Sequence, residues 1–110
     1  MRRALVIFAA LVVGGGTAAI PSLGATTTKT VLVKDDFFSP KSLTVSKGTK
    51  VQWLWKGKEA HNIAVANGPS SFRAGKRKKG HFEHTFKKRG KYSIVCTIHA
   101  PDMHMTIRVK

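Results

Sequence analysis

One stretch of this 110-residue chain gathers side chains that bind metals. Cys96-Thr97-Ile98-His99-Ala100-Pro101-Asp102-Met103 places a thiol, an imidazole and a thioether within eight residues. Thiolate and thioether are soft donors, and imidazole suits copper, zinc and iron. Two imidazoles and one thiolate in a trigonal array, with a weak axial thioether, describe an electron-transfer copper site. The second imidazole must come from elsewhere in the chain, and His61, immediately before Asn62-Ile63, opens a separate strand. Met103 competes with His104 and Met105 for the axial place. A zinc site with one thiolate and two or three imidazoles is also chemically possible, but a thioether at the fourth place favours copper. A Cys–His nucleophile is a further option for such a pair, yet no third group to orient the base is apparent.

The elements around this loop are short and β-rich. Thr28 to Lys34 is a β-branched run and reads as a first strand, and Phe37-Phe38-Ser39-Pro40 reads as a turn with aromatic anchors. Ser42 to Val45 is a short strand. Lys50 to Trp55 alternates, with Val51, Trp53 and Trp55 on one face. His61 to Ala66 is another strand. Ser70 to Gly80 reads as a basic loop ending Lys76-Arg77-Lys78-Lys79. His81 to Phe86 alternates again, with Phe82, His84 and Phe86 together, so His84 is expected to be buried and hydrogen-bonded. Lys91 to Cys96 puts Tyr92, Ile94 and Cys96 on one face, and Thr106 to Lys110 closes the domain. Short strands separated by turn signals, without an internal repeat or a long amphipathic helix, indicate an all-β sandwich or barrel.

With the strands in place, the pattern resembles the plastocyanin, pseudoazurin and amicyanin branch of the cupredoxins, over nearly all of residues 29–110. Asp36-Phe37-Phe38-Ser39-Pro40, Leu43-Thr44-Val45 and Gly48-Thr49-Lys50-Val51-Gln52-Trp53 are similar to the opening strands of that family. Ala60-His61-Asn62-Ile63 resembles its Pro-His-Asn-Val segment. Gly90 to Cys96 resembles its Gly-x-Tyr-x-Tyr-x-Cys approach to the ligand loop, and Met103 to Val109 resembles its exit strand. Two departures stand out. Three residues separate His99 from Met103 where the family usually has two or four, and Met105 stands where a Gly is common. The resemblance implies a Greek-key β-sandwich of about seven to eight strands holding one copper that cycles between Cu(I) and Cu(II). By the same resemblance His61, Cys96 and His99 would be equatorial ligands, Met103 the axial one, and Asn62 the residue that ties the two ligand segments together. The edge of His99 would carry the electrons.

The rest of the chain sets the context. Met1-Arg2-Arg3 gives a positive start, Ala4 to Val13 is unbroken apolar sequence, and a small-residue stretch ends at Ala25. That is the pattern of a secretory signal, and its apolar core is short for a membrane span, which needs about 20 residues. The reading is therefore a signal peptide over residues 1–25 and one copper-binding domain over 26–110, exported to the periplasm or the cell surface, with an uncleaved anchor as the alternative. Cys96 is the only cysteine, so no internal disulfide can form. Twenty Lys and Arg face five Asp and Glu, for a net charge of +15. Such a field attracts anionic partners without identifying them: an acidic redox protein or an anionic envelope both qualify. Nucleic acid is a poor fit, because no aromatics interleave with the Lys and Arg runs. The leading expectation is a monomeric electron carrier, not an enzyme, passing single electrons between redox proteins. The same ligands would equally serve copper storage, sensing or delivery.

Overall fold

The structure is a computed structural model, and it describes residues 27–110. The signal read over residues 1–25 lies outside the described residues. Nine strands form among the described residues: β1 (Thr28–Lys34), β2 (Phe37–Ser39), β3 (Ser42–Val45), β4 (Lys50–Trp55), β5 (His61–Asn67), β6 (Arg73–Arg77), β7 (His81–Thr85), β8 (Gly90–Val95) and β9 (His104–Val109). They make two sheets, one ordered β2-β1-β4-β7 and the other β3-β9-β8-β5-β6. Most neighbours are antiparallel, but β1 runs parallel to β4 and β3 runs parallel to β9.

The sandwich forms because one face of each central strand is apolar. Along β4 burial alternates residue by residue, and Val51, Trp53 and Trp55 all point inward. Val31 and Val33 of β1 face them from the same sheet. From the other sheet come Ile63 of β5, Tyr92 and Ile94 of β8, and Met105, Ile107 and Val109 of β9. Burying these two faces against one another is what drives the sheets together. The Trp53 ring sits at the centre of an aromatic cluster, with Phe72, Phe82 and Phe86 at 5.8, 5.9 and 6.3 Å between centroids.

Two strands appear where the sequence reads as turn and loop, which brings the count to nine instead of seven or eight. Both lie at sheet edges. β2 is three residues long and ends at Pro40, which cannot extend a ladder. β6 has the sequence Arg-Ala-Gly-Lys-Arg and buries only Ala74. Charged side chains on an edge strand deter pairing with other chains, and they also hide the strand from any reading based on apolar alternation.

Two pairings place the chemistry. In the antiparallel β5–β8 ladder Ala64 faces Val95, so His61 at the start of β5 and Cys96 just beyond β8 emerge at the same end. In the parallel β1–β4 ladder Val33 faces Trp55, which sets the turn after β1 beside the loop that leads into β5. The Lys56 N–H donates to the Val33 carbonyl at 2.8 Å and holds the two together.

His84 is half-buried and stacks on Phe72, ring centroids 4.0 Å apart, with Phe86 edge-on at 4.9 Å. Stacking, not a hydrogen bond, is what its ring finds in this structure. Burial among aromatics disfavours the imidazolium, so its pKa lies below the ordinary 6.5. An unfolded chain therefore takes up this proton first as pH falls, and folding stability declines as pH drops below 6.5. We expect His84→Phe to flatten that part of the stability profile. Urea unfolding of both proteins, in the same metal state between pH 8 and pH 5, measures it; parallel profiles would refute it.

Candidate metal centre

Three of the four residues singled out for metal binding converge. The Cys96 Sγ lies 3.6 Å from His99 Nδ1 and 3.9 Å from His61 Nδ1. One donor atom from each of the three lies within 4.8 Å of the other two. The imidazoles are 4.9 Å apart between ring centroids and inclined by 50°. A trigonal first-row ion with bonds of about 2.0–2.3 Å separates its donors by about 3.5–4 Å, so the thiol-to-imidazole spacings suit such an ion without rearrangement. The fourth residue, Met103, is fully buried on the same loop.

The loop from Cys96 to Met103 is closed by its own backbone. The Cys96 N–H donates to the Met103 carbonyl at 3.0 Å, the His99 N–H to the Cys96 carbonyl at 3.2 Å, and the Met103 N–H to the His99 carbonyl at 3.2 Å. His104 is turned outward, its Nδ1–H donating to the Pro101 carbonyl at 3.0 Å. Met105 is buried opposite Ile94 in the β8–β9 ladder, in line with Ile107 and Val109.

Asn62 joins the two ligand-bearing segments. Its Nδ2–H donates to Thr97 Oγ1 at 2.9 Å, and its Oδ1 accepts from the Thr97 N–H at 2.8 Å. The backbone of His61 is fixed separately, because the buried Trp55 indole N–H donates to its carbonyl at 3.1 Å. The Arg77 guanidinium covers the Trp55 ring at 5.2 Å, a cation–π contact at the rim.

This geometry makes the comparisons with known proteins decisive. Residues 26–110 match the family model for copper-binding proteins of the plastocyanin/azurin family. The chain is a cupredoxin. A search of curated proteins finds no match. Among solved structures, this cupredoxin resembles a Cu-containing nitrite reductase from Thermus scotoductus with 28% identity and a TM-score of 0.67. That match covers 84% of this chain and 25% of the reductase, so the cupredoxin spans about a quarter of that enzyme's length. A Cu(I) form of an amicyanin variant matches with 25% identity and a TM-score of 0.64, covering 78% of this chain and 85% of the other. A purple cupredoxin from Nitrosopumilus maritimus shares the fold at 22% identity and a TM-score of 0.66, over 74% of this chain and 99% of that one. The cupredoxin binds one copper, and the Cys-His-His cluster is the set of donors that suits it.

Three residues beside the cluster were not singled out from the sequence. Asp35 Oδ1 lies 3.1 Å from His61 Nε2, Asp36 Oδ1 lies 3.2 Å from His99 Nε2, and Glu59 Oε1 lies 3.6 Å from the same atom. Asp35 and Asp36 form the two-residue turn between β1 and β2, with Asp36 at φ 70°, a left-handed conformation that Asp tolerates. The N–H groups of Lys58 and Glu59, then the His61 ring, hold the Asp35 carboxyl down at about 2. Gly57 is required by the same packing, since a Cβ there would run into the Asp35 carboxylate. The one sequence signal for this trio is scarcity: a chain with five acidic residues puts three of them against its two inward imidazoles.

Replacing Asn62 by Ala removes both hydrogen bonds between the ligand segments and leaves the Thr97 N–H unpartnered. We expect a loss of about 1–3 kcal/mol in the metal-free protein. For a domain of this size Tm falls by about 4–8 °C per kcal/mol. Thermal unfolding by circular dichroism measures it; an unchanged Tm would show that the Asn62–Thr97 pair does not clamp the site.

Proposed function

We propose that this cupredoxin is an exported carrier of single electrons, with His61, Cys96 and His99 as equatorial copper ligands and Met103 as the weak axial ligand. The observation that carries this reading is the convergence of one thiol and two imidazoles, a donor atom from each within 4.8 Å of the others, with a buried thioether at the far end of the same closed loop. A trigonal His2Cys set with a weak axial thioether is the donor arrangement of electron-transfer copper. Copper held there would supply a one-electron couple between Cu(I) and Cu(II).

The protein's own part is to hold four donors still. His61 is fixed through its backbone by Trp55 and through its outer nitrogen by Asp35. Cys96 and Met103 share a backbone hydrogen bond. A site that is rigid before the metal arrives needs little rearrangement between oxidation states. His61, Cys96 and Met103 are sealed from solvent, and only the His99 side chain, 26% exposed, reaches the surface. Electrons would therefore cross at His99. The two large apolar side chains exposed among the described residues, Ile98 and Phe37, belong to the segments that meet there. A small apolar contact of this kind fits a transient redox complex.

The partner in this reading is a redox protein, and the strongly basic remainder of the surface favours an acidic donor or acceptor, or loose association with an anionic envelope. Export to the periplasm or cell surface, with cleavage after Ala25, rests on the charged start and short apolar core of residues 1–25. The carrier acts as a monomer and not as an enzyme.

Residues 26–110 loaded with Cu(II) test the reading. We expect an intense thiolate-to-copper absorption band that bleaches on reduction and returns on oxidation. Cys96→Ser should abolish it, and Met103→Leu should retain copper while shifting the band or the reduction potential. A colourless loaded protein would overturn the electron-transfer reading and favour storage, delivery or zinc binding instead. N-terminal sequencing of the secreted full chain tests cleavage after Ala25.

A further inference from the structure

The hydrogen-bond pattern around His61 has a fixed direction. An ionised carboxylate only accepts, so the proton between Asp35 Oδ1 and His61 Nε2, 3.1 Å apart, belongs to the imidazole. In the neutral imidazole that leaves Nδ1 bare, and Nδ1 is the atom facing Cys96 Sγ. The choice of tautomer is thus made by a residue 26 positions away in sequence. The Asp35 carboxylate is itself immobilised. Its Oδ1 accepts from the N–H groups of Lys58 and Glu59 at 3.0 and 2.9 Å, and its Oδ2 accepts from Lys58 N–H at 3.0 Å. Gly57 clears the space it occupies. The His61 side chain is fully buried, so Asp35 is its outer-nitrogen partner in place of water.

We propose that Asp35 is a positioning residue of the metal centre: it locks His61 in the tautomer that offers Nδ1 to the metal, and its negative charge biases the site toward Cu(II). The proposal rests on the copper assignment of the preceding section. A carboxylate behind a ligating imidazole fixes the ring and raises its basicity. A more basic ligand, with a negative charge behind it, favours the more highly charged oxidation state. Removing that charge should therefore weaken Cu(II) binding more than Cu(I) binding, and the reduction potential should rise.

Asp35→Asn is the sharpest variant, because it is isosteric and its amide oxygen can take the place of Oδ1, which accepts from Lys58, Glu59 and His61, while the negative charge is lost. Its amide N–H2 would then stand at the Oδ2 position, which accepts only from the shared Lys58 N–H, so the variant removes the charge behind His61 while keeping an acceptor for its ring. Asp102→Asn is the matched control: it removes the same charge from an exposed position in the ligand loop. For Asp35→Asn we expect Cu(II) affinity to fall about 10–100-fold. Each tenfold loss of Cu(II) over Cu(I) affinity raises the potential by about 59 mV. Asp102→Asn should shift it by clearly less. Equal shifts in the two variants, or none in Asp35→Asn, would overturn the proposal.

A metal-free measurement keeps the test independent of folding of the variant and of the copper assignment. Ring 15N shifts of His61 in the metal-free wild-type protein should report Nε2–H and a bare Nδ1. The opposite tautomer, or a mixture of the two, would overturn the proposal even if copper binds as described. A wild-type protein that shows the Nε2–H tautomer but develops no thiolate-to-copper band would instead sink the electron-transfer reading, and with it the Cu(II) bias, while leaving the tautomer lock supported.

Discussion

Everything at the metal end depends on the β5–β8 ladder and the side-chain clamp that extends it. His61 and Cys96 are 35 residues apart, and neither strand alone brings a thiol near an imidazole. The antiparallel register delivers both to one end of one sheet. Beyond Ala64 and Val95 the β5–β8 ladder can no longer hold them, because β8 gives way to the Cys96–Met103 loop while β5 continues along β6. There Asn62 and Thr97 substitute for ladder bonds with one donated and one accepted hydrogen bond. The clamp lies between the residue after His61 and the residue after Cys96, so it fixes the two segments at the point where the donors must meet. Neutral hydrogen bonds are modest in net energy, and their value here is positional.

The distribution of charge follows a different logic from its total. A chain of net charge +15 would be expected to surround its metal centre with cations. Instead Asp35, Asp36 and Glu59 stand against the outer nitrogens of His61 and His99. Glu83, away from the centre, pairs with Lys50 at 3.6 Å. A bound cation benefits from anions at this short range, although these carboxylates are partly exposed and water screens part of their charge. The basic surface acts at longer range, on encounter with anionic partners, and falls off within a Debye length of about 8–10 Å. One molecule thus carries two electrostatic scales, acid within contact distance of the centre and base over the rest.

Much of this was legible in the sequence. The β4 face of Val51, Trp53 and Trp55 announced itself by strict alternation, and the Cys96–His99 spacing pointed to the thiol and imidazole that converge with His61. Asn62 was legible only through family resemblance, since an Asn beside a His carries no signal of its own. The acidic trio could not be read. Asp35 meets His61 only because β1 and β4 run parallel, and a parallel pairing between distant strands leaves no local mark. β2 and β6 were hidden for a related reason. Edge strands are selected to look unlike strands, β2 by brevity and β6 by its cations and glycine.

Three of the four candidate ligands, His61, Cys96 and Met103, are fully buried, and this decides how the site communicates with solvent. Cys96 and Met103 belong to the same hydrophobic cluster as Trp53, Tyr92 and Ile107. The metal centre is therefore the end of the core and not a pocket cut into the surface. Its donors are held by the packing that holds the sheets together, which a domain of some 84 described residues, without a disulfide, can do only if the two tasks share side chains. Among the described residues, sealing three of the four candidate ligands leaves the His99 ring, bordered by Asp36 and Glu59, as the one that reaches solvent. In the proposed carrier reading, electrons taking the shortest path, and any metal exchanging with solvent, would meet the same imidazole. In that reading, what separates a carrier from a protein that hands copper on is the freedom of that one ring, whose Nε2 lies 3.2 Å from Asp36 Oδ1 and 3.6 Å from Glu59 Oε1.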